Sequence, residues 1–180
     1  TPTNAQKYTL SFWIKRSKIT DRQQFFRTNG YMFFEFQADD KLSYIDASNS
    51  GALITNRLFR DTNAWYHIVL SVDTTLVTAD DRHKIYVNGV QETSFSSRVN
   101  PTQNSSNITF GSGRVNYIGS NEGSNFFFNG SIAHFHGIDG LAYDASAFGQ
   151  TNAASGIWTP IVSPSVTYGT NGFFLKFASS

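Results

Sequence analysis

The sequence predicts an all-β domain, a sandwich of two antiparallel sheets with very little helix, and three observations carry that reading. Apolar residues recur at every second position in two stretches, Tyr8, Leu10, Phe12 and Ile14, then Tyr66, Ile68, Leu70 and Val72. This is the period of an extended chain, whose successive side chains point to opposite faces. Asn88-Gly89 sits between Tyr86-Val87 and Val90-Gln91, and a type I′ hairpin turn needs the positive φ at both central positions that Asn-Gly tolerates. No stretch longer than two turns carries a 3.6-residue period. The composition agrees: charged residues make up 15% and aromatics 16%, with 17 phenylalanines, whereas soluble domains average about 25% charged, and aromatic side chains favour sheets.

In order, Tyr8 to Lys15 forms the first strand, with Thr9, Ser11, Trp13 and Lys15 on its polar side. Trp13 is out of place there. It either covers a neighbouring sheet edge or offers a platform on which a sugar ring stacks. Gln24 to Arg27, Tyr31 to Phe36 and Lys41 to Ile45 are further strands, separated by Thr28-Asn29-Gly30 and Ala38-Asp39-Asp40, which are turn chemistry and imply an antiparallel meander. A looser loop, Ser48 to Gly51, precedes Ala52-Leu53-Ile54, and Leu58-Phe59 starts the return.

Trp65 to Asp73 is the next strand, leading through a polar loop to the hairpin Lys84 to Gln91. Arg98 to Ser106, with Asn100-Pro101, reads as a surface loop. Ile108-Thr109-Phe110 is expected to be a short strand and Asn116 to Gly119 another. The one helical candidate is Asp144 to Phe148, where Asp144 caps the first amides and Gly149 ends the turn. Tyr168 to Gly172 forms a tight turn feeding a strand from Phe173 to Phe177. That strand is expected to pack as core and to pair with the first strand or lie along an adjoining module.

At 180 residues and without an internal repeat, the chain reads as one domain over 1–180. A net charge of +1, with no basic run beyond Lys15-Arg16 and Lys18, lacks the electrostatic footprint of nucleic-acid binding. Cysteine is absent, which excludes disulfides, thiolate metal sites and cysteine nucleophiles. No apolar run approaches the ~20 residues of a membrane span, so membrane insertion is not expected. The start at Thr1 without Met suggests a processed product or a segment of a longer protein.

Trp65-x-His67, an Asp-containing loop and the Tyr86-Val87-Asn88-Gly89 hairpin resemble laminin-G-like, concanavalin A-like lectin and glucanase domains. Phe128 to Asp139 is similar to the strand that closes such domains. The resemblance implies a concanavalin-A-like jelly roll. From Phe128 to Phe177 a narrower likeness holds. Ile138-Asp139-Gly140, Phe148-Gly149, Gly156-Ile157-Trp158-Thr159-Pro160 and Tyr168-Gly169-Thr170-Asn171-Gly172-Phe173 resemble, in order and spacing, a segment of tailed-phage virion proteins, several from phages of marine bacteria. Those proteins usually carry an acid where Gln150 stands and often one where His134 stands here, departures that weaken the inference of a charged or metal-linked role at these positions. The likeness implies a module of a longer virion protein, on the particle exterior or tail, attaching to host surface glycan. The alternative it leaves open is a capsid-decoration, knob or tail-fibre connecting domain, possible as a homotrimer, whose partners are other virion subunits.

Reactive chemistry is sparse. Glycoside hydrolysis needs two carboxylates facing each other across a groove, yet Glu35, Glu92 and Glu122 are the only glutamates and no Glu-x-Asp-x-x-Glu spacing occurs. No serine triad, nucleophile elbow or phosphate loop can be assembled. The chain therefore reads as no enzyme. His134 and His136, two apart on a strand, could chelate zinc if His67 joined them, although half-exposed sheet histidines are the ordinary case. No cofactor is expected, with calcium possible. The resemblance implies rim-loop calcium, for which Asp73, Asp80 and Asp81 are the clustered acids, beside Asp39-Asp40. What remains is contact surface: Trp13, Tyr31, Trp65 and Trp158, with Asn-, Ser- and Gly-rich loops, suit stacking on sugar rings.

Overall fold

A computed structural model describes residues 1–177. The first half of the chain runs β1 (Lys7–Arg16), β2 (Gln23–Thr28), β3 (Met32–Phe36), β4 (Lys41–Asp46), β5 (Gly51–Leu58) and β6 (Tyr66–Asp73). The second half runs β7 (His83–Val87), β8 (Val90–Gln91), β9 (Phe95–Val99), β10 (Asn116–Ile118), β11 (Gly130–Asp139), β12 (Gly149–Thr151), β13 (Trp158–Pro160) and β14 (Phe173–Leu175). Two 3-10 turns, Ala79–Asp81 and Ala145–Ala147, are the helical elements among the described residues. All strand pairings within the sheets are antiparallel, as the alternating pattern predicts.

One six-stranded sheet has the order β14-β11-β1-β6-β7-β8 and the other β10-β2-β3-β4-β5-β9. The two stack face to face as a jelly roll. Between them Tyr8, Leu10, Phe12, Ile14, Ile68, Leu70 and Val72 meet Phe25, Phe26, Phe34, Phe36, Leu42 and Tyr44, all fully buried. Phe12 occupies the middle, with ring centroids 5.2 Å from Phe25, 5.8 Å from Phe34 and 4.9 Å from Phe135. A bulge between Gln24 and Phe26 explains why two consecutive phenylalanines both enter this core.

Two clusters of polar groups inside the core are paired, while the Arg16 Nε and Nη2 and the Ser43 hydroxyl have no partner among the described residues. The Tyr8 hydroxyl bonds that of Tyr44 at 2.8 Å, and Tyr44 in turn reaches Asp46. The fully buried Arg16 pairs with Asp40 at 3.0 Å, which Arg60 also holds at 2.9 Å.

The hairpin is as expected, with φ +50 at Asn88 and +82 at Gly89. Several expectations are corrected. Thr9 and Ser11, on the polar side of β1, are fully buried, because the chain after Gly140 folds back over that side. Val69 and Ile138 point outward into a second small core with Ala145 and Phe148, so this sheet is covered on both faces over its middle. Ile108 to Phe110 is loop and turn instead of a strand, whereas Phe95–Val99 is a strand on the edge of the second sheet. Gly149 opens β12 instead of ending a helix. β14 pairs with β11, not with β1. It is only partly core: Phe173 packs inward, while Phe174, Leu175 and Phe177 are exposed.

Replacing Phe12 by Ala leaves a ring-sized void among three aromatics and is expected to cost about 3–5 kcal/mol. The exposed Leu58→Ala, at 43% accessibility, is expected to cost well under 1 kcal/mol. Urea denaturation of both variants checks the contrast.

Candidate functional site

β1, β11 and the chain entering β6 bring their outward side chains to one end of the covered sheet, where the returning C-terminal segment stops short of closing over them. The result is a cleft of about 440 Å³, within the usual range for small-molecule sites. Trp13 from β1, Trp65 just before β6 and Trp158 from β13 line it, with Ala133 and His134 from β11. Ile157, Thr159 and Pro160 complete the wall. The chain contains three tryptophans, and all of them are here.

Two of them, Trp13 and Trp158, are held by His67. Trp13 stacks on its imidazole at 5.0 Å and 17°, and Trp158 lies on the other side at 6.0 Å and 25°. The Trp158 indole N–H donates to His67 Nδ1 at 2.9 Å. An indole nitrogen only donates, so Nδ1 is unprotonated and Nε2–H faces Ser11 Oγ, also at 2.9 Å. Burial, reinforced by His136, pushes the His67 pKa down to about 3, and the ring is neutral at physiological pH. The Asn88-Gly89 turn completes the seat. The Asn88 side chain accepts from the His67 amide at 2.7 Å. A Cβ on Gly89 would lie 2.7 Å from the Trp158 ring, and one on Gly149 2.5 Å from it.

Of the residues predicted to bind a ligand, Trp13, Trp65 and Trp158 thus come together. Tyr31 does not: it occupies the turn between β2 and β3 in the other sheet, under the Arg114 guanidinium at 4.4 Å. His134, Ile157 and Pro160 were missed as cleft residues, because nothing in the local pattern shows which distant segments meet.

The acidic candidates are dispersed in pairs. Asp73 is bridged by Lys7 at 2.9 Å, Asp80 by Arg98 at 3.1 Å and Asp81 by Lys84 at 2.9 Å. Burial alone would raise the Asp73 carboxyl, but Thr75 and Lys7 outweigh it and hold it below its ordinary value. Among the described residues no group of three His, Cys, Asp or Glu side chains could hold a metal ion, and these acids do not fit a calcium site. Zinc fares no better, since both His67 nitrogens are engaged and His136 Nδ1 bonds the Tyr168 hydroxyl at 2.9 Å. Glu35, Glu92 and Glu122 are each tied to an arginine, Arg22, Arg57 and Arg27. Among the described residues no carboxylate lines the cleft, whose walls are indole, imidazole and aliphatic surface.

The family profile described as the concanavalin A-like lectin/glucanases superfamily, in its laminin G form, matches residues 1–140. The chain belongs to this superfamily. The matched part of this lectin-like domain supplies both large sheets except β14, while Trp158 and the rest of the covering segment lie beyond it. Among solved structures, a candidate carbohydrate-binding protein of Bacteroides ovatus ATCC 8483 is similar at 16% identity and TM-score 0.57. That alignment covers 90% of this chain and 56% of the other, so this domain spans little more than half the length of that relative. The native heptameric SAP-like pentraxin of Limulus polyphemus aligns at 15% identity and TM-score 0.48, over 79% of this chain and 69% of its own. Domain 4 of an extracellular GH43 arabinanase from Geobacillus stearothermophilus, in complex with arabinotriose, aligns at 17% and 0.49, over 78% and 64%. No curated protein sequence matches the chain.

The buried histidines make stability fall with acid. Burial lowers His83 and His136 to about 4, as it lowers His67 further. Below the ordinary histidine value the unfolded chain takes up protons that the folded lectin-like domain does not, so stability is lost as pH falls. Each buried histidine contributes a slope of about 1.4 kcal/mol per pH unit between about pH 6 and 4. Urea titrations across this window are expected to show it, with a shallower slope for His67→Gln.

Proposed function

We propose that this domain binds carbohydrate without catalysis, through the tryptophan cleft, as a module of a tailed-phage virion protein that attaches to bacterial surface glycan. One observation carries the binding reading: every tryptophan of the chain converges on one cleft, two of them held there by a neutral histidine. Flat aromatic faces suit the apolar faces of pyranose rings, while edges and hydroxyls supply direction. Membership of a lectin superfamily and the carbohydrate binding ascribed to the Bacteroides ovatus protein support it. The absence of carboxylates from the cleft lining supports a passive role. The virion setting, on the particle exterior or tail, rests on the sequence likeness over Phe128 to Phe177.

A second reading has its own observation. β14 ends one sheet with Phe174, Leu175 and Phe177 exposed, an apolar edge suited to a protein neighbour. It favours a connecting or decorating domain that contacts other virion subunits, for which a homotrimer is the simplest assembly.

A glycan array with the 180-residue chain separates the two. Binding to defined glycans, weakened tenfold or more by Trp65→Ala or Trp13→Ala and unaffected by Tyr31→Ala, is the expected result. EDTA is expected to leave it unchanged. Silence on the array, with trimers in sedimentation, favours the connecting domain.

A further inference from the structure

Within the cleft one residue is held in a costly backbone conformation. His134 has φ +47, in the left-handed region that few non-glycine residues enter. It sits at a bulge: Ser11 pairs with His136 and Trp13 with Ala133, so Phe12 faces both His134 and Phe135. Bulges re-aim side chains and recur beside functional sites. Here the extra residue keeps Phe135 in the core while His134 lines the cleft.

The imidazole is positioned but unsatisfied. It lies against Phe174 at 6.0 Å, and its Nδ1 is buried with no hydrogen-bond partner among the described residues. Each other histidine has at least one ring nitrogen bonded, His67 to Ser11 and Trp158, His83 through Nε2 to Asn100 and His136 through Nδ1 to Tyr168, although His83 Nδ1 is also without a partner. A buried polar atom without a partner is destabilising, and in native structures it usually has a reason. Of the other polar groups of the cleft, Trp158 donates to His67 and the Thr159 hydroxyl donates to the Gln150 carbonyl, which leaves the Trp13 and Trp65 indoles, able only to donate, and His134, the one lining ring that can also accept. No charged side chain lines the cleft, which disfavours a ligand that would have to bring a bare charge against indole surface.

Resting on the carbohydrate reading above, we propose that His134 is the specificity-determining residue of the cleft, hydrogen-bonding a ring hydroxyl of an uncharged pyranose stacked on the tryptophans. Burial, with Lys176 nearby, holds its pKa below the ordinary value. With Nδ1 buried, Nε2 is the nitrogen that a sugar hydroxyl can meet, and the neutral ring presents it as donor or acceptor according to the tautomer. Uronates and sialosides, which lack a cationic partner in the cleft lining, are the ligands it rejects.

The test titrates the 180-residue chain with methyl hexopyranosides, their monodeoxy analogues and methyl glucuronide, following the histidine ring resonances by NMR. The expected result is a shift of the His134 ring with a neutral hexopyranoside, and a deoxy analogue that binds about fivefold to tenfold more weakly. His134→Phe should bind parent and deoxy sugar alike, at the level of the deoxy sugar in the unmodified chain. Should that variant fail to fold, His134→Asn, which tolerates positive φ, removes the imidazole and should lower parent-sugar affinity with the urea midpoint retained. If every deoxy analogue is discriminated equally by unmodified and His134 variants while Trp65→Ala loses binding, the proposal is overturned and the cleft stands. Preferential binding of glucuronide overturns the proposed ligand class. Pyranoside binding that survives both Trp13→Ala and Trp65→Ala, or no binding at all, overturns the cleft reading and this proposal with it.

Discussion

Burying both faces of one sheet is the constraint from which the site follows. A strand with one face in water can leave its outward polar groups solvated, but β1, β6 and β11 lose that option beneath the C-terminal segment. Each outward polar side chain then needs a partner in the chain. Thr9 donates to the Leu141 carbonyl and accepts from the Tyr143 amide, Ser11 is bonded by His67, and His136 meets Tyr168. The Trp158 bond to His67 belongs to the same series, and it places an indole at the margin of the cover. The cleft is thus the place where the covering layer ends.

The inner core was legible because it depends on local alternation. Tyr8, Leu10, Phe12 and Ile14 could sit on one side of a strand only if that side was apolar, and Asn88-Gly89 could satisfy two positive φ values only as a turn. What escaped notice depends on chain segments far apart. Thr9 and Ser11 look like surface residues until residues 141–168 lie over them. The bulges at Phe25 and His134 shift the alternation by one without any mark in composition. β9, whose residues Phe95–Val99 include Ser96, Ser97 and Arg98, is a strand because the Leu53 edge needs a partner, not because its own residues favour one.

The site divides in the same way. Trp13 was readable as an anomaly, a large ring in a polar register, and that anomaly proved to be the informative feature. Trp65 and Trp158 were readable only as aromatic residues near turns, and so was Tyr31, which lies elsewhere. Residue type cannot distinguish an aromatic that joins a cleft from one that shelters beneath an arginine. Only the pairing of β1 with β6 and β11 brings Trp13, Trp65 and His134 to one end of the sheet.

The family likeness stops at Gly140, yet Trp158 and the layer that seals the sheet come after it. A chain cut at that boundary would lose β14 and lay bare Val69, Ile138 and His67 Nδ1, a sticky surface prone to self-association. One wall of the cleft and the cover over the sheet's outer face therefore reside together in the appended stretch. Swapping that stretch between relatives would be expected to change the cleft wall and the cover at once while the central sandwich stayed the same.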